Sequence, residues 1–165
     1  MTSSPTSLFI SALGIRVHYH LATPDEHRFS TLRGTIVLIH GFLCNTFTWN
    51  KCLQPLADRT GCQVIAYDRL AFGQTERVLD TDHYSRKSEE SLALELLRQL
   101  NVTADVHLVS SSSGAVVAFD MAIARPDLIR SIIFVAPYGV LRATHPTGPF
   151  TRFLIGTRPV QSLMK

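Results

Sequence analysis

Cysteine is scarce in this chain: three among 165 residues, Cys44, Cys52 and Cys62. Their odd number and lack of C-x-x-C spacing indicate neither a disulfide framework nor a zinc site, and a reducing compartment, the cytoplasm, fits this usage. Charge is sparse as well, at 18% of residues against a usual value of about 25%. The formal net charge of +3 is too weak to imply a nucleic-acid partner. No apolar stretch approaches the roughly 20 residues that cross a bilayer, so no transmembrane segment is expected. With Gly 9 and Pro 8 the chain is neither collagenous nor of low complexity. Met1 to Ser7 lacks the basic start of a signal peptide, and the short run Leu8 to Ile15, broken by Ser11 and Gly14, reads better as a strand. Carboxylates are missing altogether after Asp127, where Arg130, Arg142, Arg152, Arg158 and Lys165 contribute +5. That basic stretch lacks dense clustering and reads as a solvated or interface segment. What is present is apolar material, 45% of residues, enough for the core of one globular domain.

Its periodicity predicts an α/β fold. Leu8-Phe9-Ile10 and the alternating run Ile15 to Leu21 flank Gly14 as an antiparallel hairpin. Thr35-Ile36-Val37-Leu38-Ile39 is continuous and mostly β-branched, as expected of a strand covered on both faces. Trp49, Leu53 and Leu56 then recur at helical spacing up to Gly61, before a strand at Val64 to Tyr67. Ser88-Glu89-Glu90-Ser91 opens a helix whose apolar face is Leu92, Leu96, Leu97 and Leu100, closed by Asn101. Val106 to Val109 is the next strand, Gly114 to Ala124 a small-residue helix, and Ile132 to Val135 another buried strand. A hairpin followed by β-α-β-α-β-α-β implies a predominantly parallel sheet with helices on both faces and chemistry at the carboxyl ends of the strands.

Those strand ends carry the candidate site. The strand at Val109 runs through Ser110-Ser111-Ser112-Ser113-Gly114 directly into a helix, which is the geometry of a nucleophile elbow with Ser112 at the apex. The turn requires small flanks, and Ser110 and Gly114 meet that requirement. Serine runs are most often plain loops. Here, however, His40-Gly41-Phe42 ends an earlier buried strand, so the backbone amides of Phe42 and Ser113 face one crevice. Two convergent amides are what a tetrahedral oxyanion needs.

In this order the sequence resembles the α/β-hydrolase superfamily. The residues that carry the resemblance are the hairpin around Gly14, His40-Gly41-Phe42, Trp49 with Leu56-Ala57, the segment Asp68-Arg69-Leu70-Ala71-Phe72-Gly73-Gln74-Thr75, the elbow at Ser112, and Ala124-Arg125-Pro126-Asp127 before Ile132 to Pro137. The resemblance implies hydrolysis of an ester or related acyl bond by a serine nucleophile, acting on a small-molecule acyl substrate without metal or organic cofactor. Ser112 would be the nucleophile, Phe42 and Ser113 the oxyanion amides, and Ser110, Gly114, His40 and Gly41 the structural elbow and oxyanion loop. It also implies a core over residues 8–137, and over 138–165 the start of a cap-like segment.

Departures from the pattern set further expectations. Ser110, Ser111 and Ala115 replace the family's usual Gly, His and Gly around the nucleophile, all still small. Ala71 stands at the first Gly of Asp-Arg-x-Gly-x-Gly-x-Ser; where that backbone needs positive φ, alanine costs about 1 kcal/mol. The family's acid and histidine follow the nucleophile in the chain. Here no Asp or Glu follows Asp127, Pro137-Tyr138-Gly139 occupies one usual place for the acid, and His145 is the one histidine after Ser112. His18, His20, His27, His40, His83 and His107 read as strand, loop or core residues, and Asp68 as the partner of a structural ion pair with Arg69 or another neighbour. The expected architecture is thus α/β-hydrolase-like, truncated after about the sixth strand, which leaves an exposed sheet edge open to association. Two readings stand: a serine hydrolase of esterase type, and a catalytically inactive truncated isoform, fragment or binding module lacking acid and base.

Overall fold

In the computed structural model, which describes residues 6–138, β1 (Thr6–Ala12) and β2 (Ile15–Ala22) pair as the antiparallel hairpin that the alternation predicts. Leu13 and Gly14 form its two-residue loop, both at positive φ (53° and 79°), the backbone that a tight hairpin demands. The chain continues as β3 (Thr35–Ile39), α1 (Leu53–Thr60), β4 (Gln63–Tyr67), α2 (Arg86–Gln99), β5 (Val106–Ser111), α3 (Gly114–Ala124) and β6 (Ile129–Val135). The six strands lie in the order β1-β2-β4-β3-β5-β6. β3 pairs in parallel with both β4 and β5, and β5 with β6, while β2 joins β4 antiparallel. The mostly parallel α/β sheet expected from the sequence is therefore present.

Two apolar layers flank the sheet. On one face Leu53 and Ala57 of α1 pack with Leu38, Val64 and Ala66. On the other, Leu92, Leu96 and Leu97 of α2 and Val117, Ala118 and Met121 of α3 cover Val37, Ile39, Ile65 and Leu108. Every residue of β3 is buried, which explains its uninterrupted apolar run.

The details differ from expectation at three places. α2 begins at Arg86, because the Ser85 hydroxyl caps it by accepting from the Ser88 amide; the serine immediately before the helix, not the Ser-Glu-Glu-Ser run, sets its start. β5 extends to Ser111, carrying Ser110 into the sheet. β6 begins at Ile129 and is not a buried strand: Ile133 is 56% exposed and Val135 46%, since β6 ends the strand order and pairs only with β5 among the described residues. The cap-like segment expected over 138–165 lies outside the described residues except for Tyr138.

Strand order reverses around β3, with β4 on one side and β5 on the other, and helices α1 and α2 leave toward opposite faces. A crevice opens at the carboxyl ends of strands at such a point. Register brings Ile39 opposite Tyr67 and Ser110, and Ser111 opposite Val135, so His40, Asp68, Ser112 and Ala136 leave the sheet along one rim. In the loop after β4, Ala71 sits at φ 65°, the strained backbone that its glycine-type position suggested. Ala71→Gly is expected to raise unfolding free energy by about 1 kcal/mol, read as a higher urea midpoint at unchanged m-value.

Candidate active site at the strand-to-helix elbow

Ser112 terminates β5 at φ 49°, a conformation that costs an L-residue on the order of 1–2 kcal/mol and persists only when surrounding contacts impose it. Those contacts are main-chain. The Ser112 amide donates to the Val135 carbonyl (3.0 Å), and its own carbonyl accepts from Ala115 (3.1 Å) and Tyr138 (3.0 Å). The elbow is thereby held between the start of α3 and the end of β6.

Glycines allow the neighbouring loops to close on it. A β-carbon on Gly41 would lie 3.0 Å from the Ser112 β-carbon and 3.7 Å from its hydroxyl oxygen, so the loop His40-Gly41-Phe42 rests directly against the serine. A β-carbon on Gly114 would lie 2.6 Å from the His40 carbonyl oxygen and 2.7 Å from that of Ile39. Ser113, at the amino end of α3, and Phe42 consequently border the same crevice, and among the described residues neither of their amides donates a hydrogen bond. Ser110 is fully buried and its hydroxyl has no partner among the described residues, a polar group where the resembled pattern has glycine.

Beneath the elbow lies a polar network that spacing in the sequence did not show. The Arg69 guanidinium makes a two-point ion pair with Glu89 (2.7 and 2.9 Å) and also donates to the His40 carbonyl (3.2 Å) and the Ser113 hydroxyl (3.1 Å). Burial alone would lower the Arg69 pKa, but the Glu89 carboxylate outweighs it and the net shift is upward. Of the partners expected for Asp68, Arg69 or another neighbour, the structure selects another: Asp68 pairs with His18 (2.7 Å). Only the register of β2 against β4 could reveal that partner.

Both ring nitrogens of His40 are hydrogen-bonded. Its Nδ1 donates to the Gly41 carbonyl (2.8 Å), and its Nε2 accepts from the Arg69 amide (3.0 Å). A proton on Nε2 would face another donor. Burial, opposed by the Gly41 hydrogen bond and reinforced by Arg69, brings its pKa down to about 4. As pH falls from 7 to 5, the unfolded chain takes up a proton on this histidine that the folded chain refuses, so stability decreases. The loss is expected to be about 2 kcal/mol, measured by urea unfolding at the two pH values.

No base reaches the serine among the described residues. The Ser112 hydroxyl has no hydrogen-bond partner there, both nitrogens of His18 and His40 are engaged elsewhere, and His107 bonds Ser131. His145 lies outside the described residues. A surface hollow of about 260 Å³ is lined by Leu13, Leu70, His83 and Lys87 among others and contains none of the elbow residues. No three His, Cys, Asp or Glu side chains are grouped to hold a metal, and no helix is long and apolar enough to cross a membrane, among the described residues.

The family model for the alpha/beta hydrolase fold matches residues 34–159. The chain belongs to the α/β-hydrolase family. Among curated relatives of this α/β-hydrolase chain, it is 31% identical over 134 residues to the uncharacterized hydrolase YugF of Bacillus subtilis, covering 81% of this chain and 45% of that protein. It is 25% identical over 136 residues to the probable lysophospholipase BODYGUARD 2 of Arabidopsis thaliana, covering 81% and 26%. Among solved structures, the epoxide hydrolase VrEH1 of Vigna radiata superposes with a TM-score of 0.70 at 20% identity, over 94% of this chain and 48% of that one. The chain thus spans less than half the length of these α/β-hydrolase relatives. What the solved structure shares with this chain is the fold.

Proposed function

We propose that Ser112 is the nucleophile of a hydrolase acting on an ester or related acyl bond of a small molecule. The observation that carries this reading is the strained Ser112, packed against Gly41, with no hydrogen bond among the described residues to its hydroxyl or from the neighbouring amides of Phe42 and Ser113. In the proposed reaction the Ser112 oxygen attacks the carbonyl carbon, and the carbonyl oxygen, as it gains negative charge, takes hydrogen bonds from both amides and the favourable end of α3. The alcohol then leaves and water releases the acid, so no metal or organic cofactor enters. Exposed Phe42, Leu43 and Phe47 follow in the oxyanion loop and suit an apolar acyl group. The hydroxyl needs a proton acceptor to be an effective nucleophile, and the described residues do not supply one. The proposed setting is the cytoplasm, consistent with the three free cysteines.

Two measurements test the reading: adduct formation with a fluorophosphonate probe, located by peptide mass mapping, and hydrolysis of p-nitrophenyl acetate. Expected are an adduct on Ser112 and loss of that adduct, with a fall in turnover of about a hundredfold or more, in Ser112→Ala. Folded protein that leaves Ser112 unlabelled would refute it.

A further inference from the structure

Away from the elbow, the hairpin holds a second serine in a different chemical setting. The Ser7 hydroxyl lies 2.8 Å from Nε2 of His18, and Nδ1 of His18 lies 2.7 Å from Oδ2 of Asp68. His18 and Asp68 are both 1% exposed, whereas Ser7 is exposed on β1, which pairs only with β2 among the described residues.

The protons in this chain of atoms can be assigned. Asp68 also accepts from the amides of Thr46 (2.7 Å) and Gln74 (2.8 Å), so its two oxygens are surrounded by donors and it acts as a carboxylate. His18 Nδ1 must then be the protonated nitrogen. In the neutral ring Nε2 is left with a lone pair, and the Ser7 hydroxyl donates to it. The ring is fixed further by its own backbone amide, which donates to Thr75 (3.0 Å), and by the rings of Phe9 and His20, each 5.0 Å away. A serine donating to one imidazole nitrogen, with a buried carboxylate on the other, is the arrangement that activates a hydroxyl, and it is recognised by geometry and not by place in a fold.

We propose that Ser7 is a second, independent nucleophile of this chain, activated by His18 and Asp68, and that it takes up acyl groups from activated esters. The Ser7 oxygen forms a bond to the acyl carbon while its proton passes to His18 Nε2. The ester C–O bond breaks, and the departing phenolate or alkoxide leaves with the electron pair and takes up that proton. Ser7 keeps the acyl group as its own ester. The two serines are complementary: among the described residues Ser112 borders unbonded amides but has no base, and Ser7 has a base and an orienting acid on β1. Nothing among the described residues supplies Ser7 with a pair of amides comparable to Phe42 and Ser113, so the expected outcome is one acylation per chain, not turnover.

The experiment uses Ser112→Ala protein, so that failure at the elbow cannot be mistaken for failure here. The protein is incubated with p-nitrophenyl acetate, and the tryptic peptide ending at Arg16 is fragmented to place the acetyl group. Ser11, exposed on the same strand, is the internal reference. Acetylation of Ser7 is expected to run about a hundredfold faster than that of Ser11 and to lose this advantage when the protein is unfolded in urea. Equal acetylation of Ser7 and Ser11 in folded protein, or none on Ser7, overturns the proposal.

Discussion

Asp68→Ala is expected to lower unfolding free energy by about 4–5 kcal/mol, the largest single effect in this fold. Its carboxylate is 1% exposed and is held by the Thr46 amide, the Gln74 amide and the His18 ring. Truncation strands three donors at once, and each uncompensated buried donor costs about 1–3 kcal/mol. These costs do not add fully, because the loop can relax toward water, which keeps the total at about 4–5 kcal/mol. Asparagine offers no rescue. One of its terminal atoms becomes a donor facing donors that an oxygen had satisfied. The packing of Gly73 shows how closely the site is built: a β-carbon there would fall on the Asp68 carboxylate. Urea unfolding of Asp68→Ala and Asp68→Asn tests this, and a shift below about 1 kcal/mol in either would contradict the account.

Gly114→Ala is expected to cost about 4 kcal/mol. Helix propensity alone argues the other way, since alanine inside a helix is favoured over glycine by about 1 kcal/mol. Contact decides the sign. The added carbon would meet the main-chain oxygens of His40 and Ile39 at 2.6 and 2.7 Å, and the Ile39 side chain at 3.1 Å. Those oxygens end β3, the central buried strand, so they cannot withdraw as a flexible side chain could. Overpacking usually costs about 1–3 kcal/mol, and a clash against two immobile carbonyls belongs above that range. The same displacement would move Ser113 and Ser112 relative to Phe42, so fluorophosphonate labelling at Ser112 should fall along with stability. A folded variant with an unchanged urea midpoint would show that α3 does not approach β3 so closely.

Much of the architecture was legible in one dimension because burial writes a period into the chain. β3 could be read from five consecutive apolar or β-branched residues, and the hairpin from alternation about Gly14. The elbow was legible because a strand that runs through small residues straight into a helix has few alternative geometries. The structure has Ser112 at positive φ between β5 and α3, with Gly41 packed against it. Ends of elements were less legible: Ser85 caps α2 through a side-chain hydrogen bond that no periodicity announces. β6 looked buried from composition, yet its exposure depends on which strand lies beside it, and that is a property of sheet order.

The polar network was not legible for a related reason. Ser7, His18 and Asp68 are separated by up to 61 positions, and Arg69, Glu89 and Ser113 by up to 44. Neither set has a diagnostic spacing. Adjacency offered Arg69 as one possible partner of Asp68 and left another neighbour open; consecutive residues leaving a strand point to different sides, and each found its partner on another element.

The sequence by itself determined the alternation of strands and helices, the place of the turn residues and the identity of the serine at the elbow, because these follow from local conformational preference and the period of burial. Tertiary structure alone decided the partners: that Asp68 serves His18, that Arg69 ties Glu89 to the elbow, that His40 is neutral and that Ser112 lacks a base among the described residues. Hydrogen bonds and charges act across a few ångströms of space. Only the register of β2, β3, β4 and β5 fixes which distant residues stand that close.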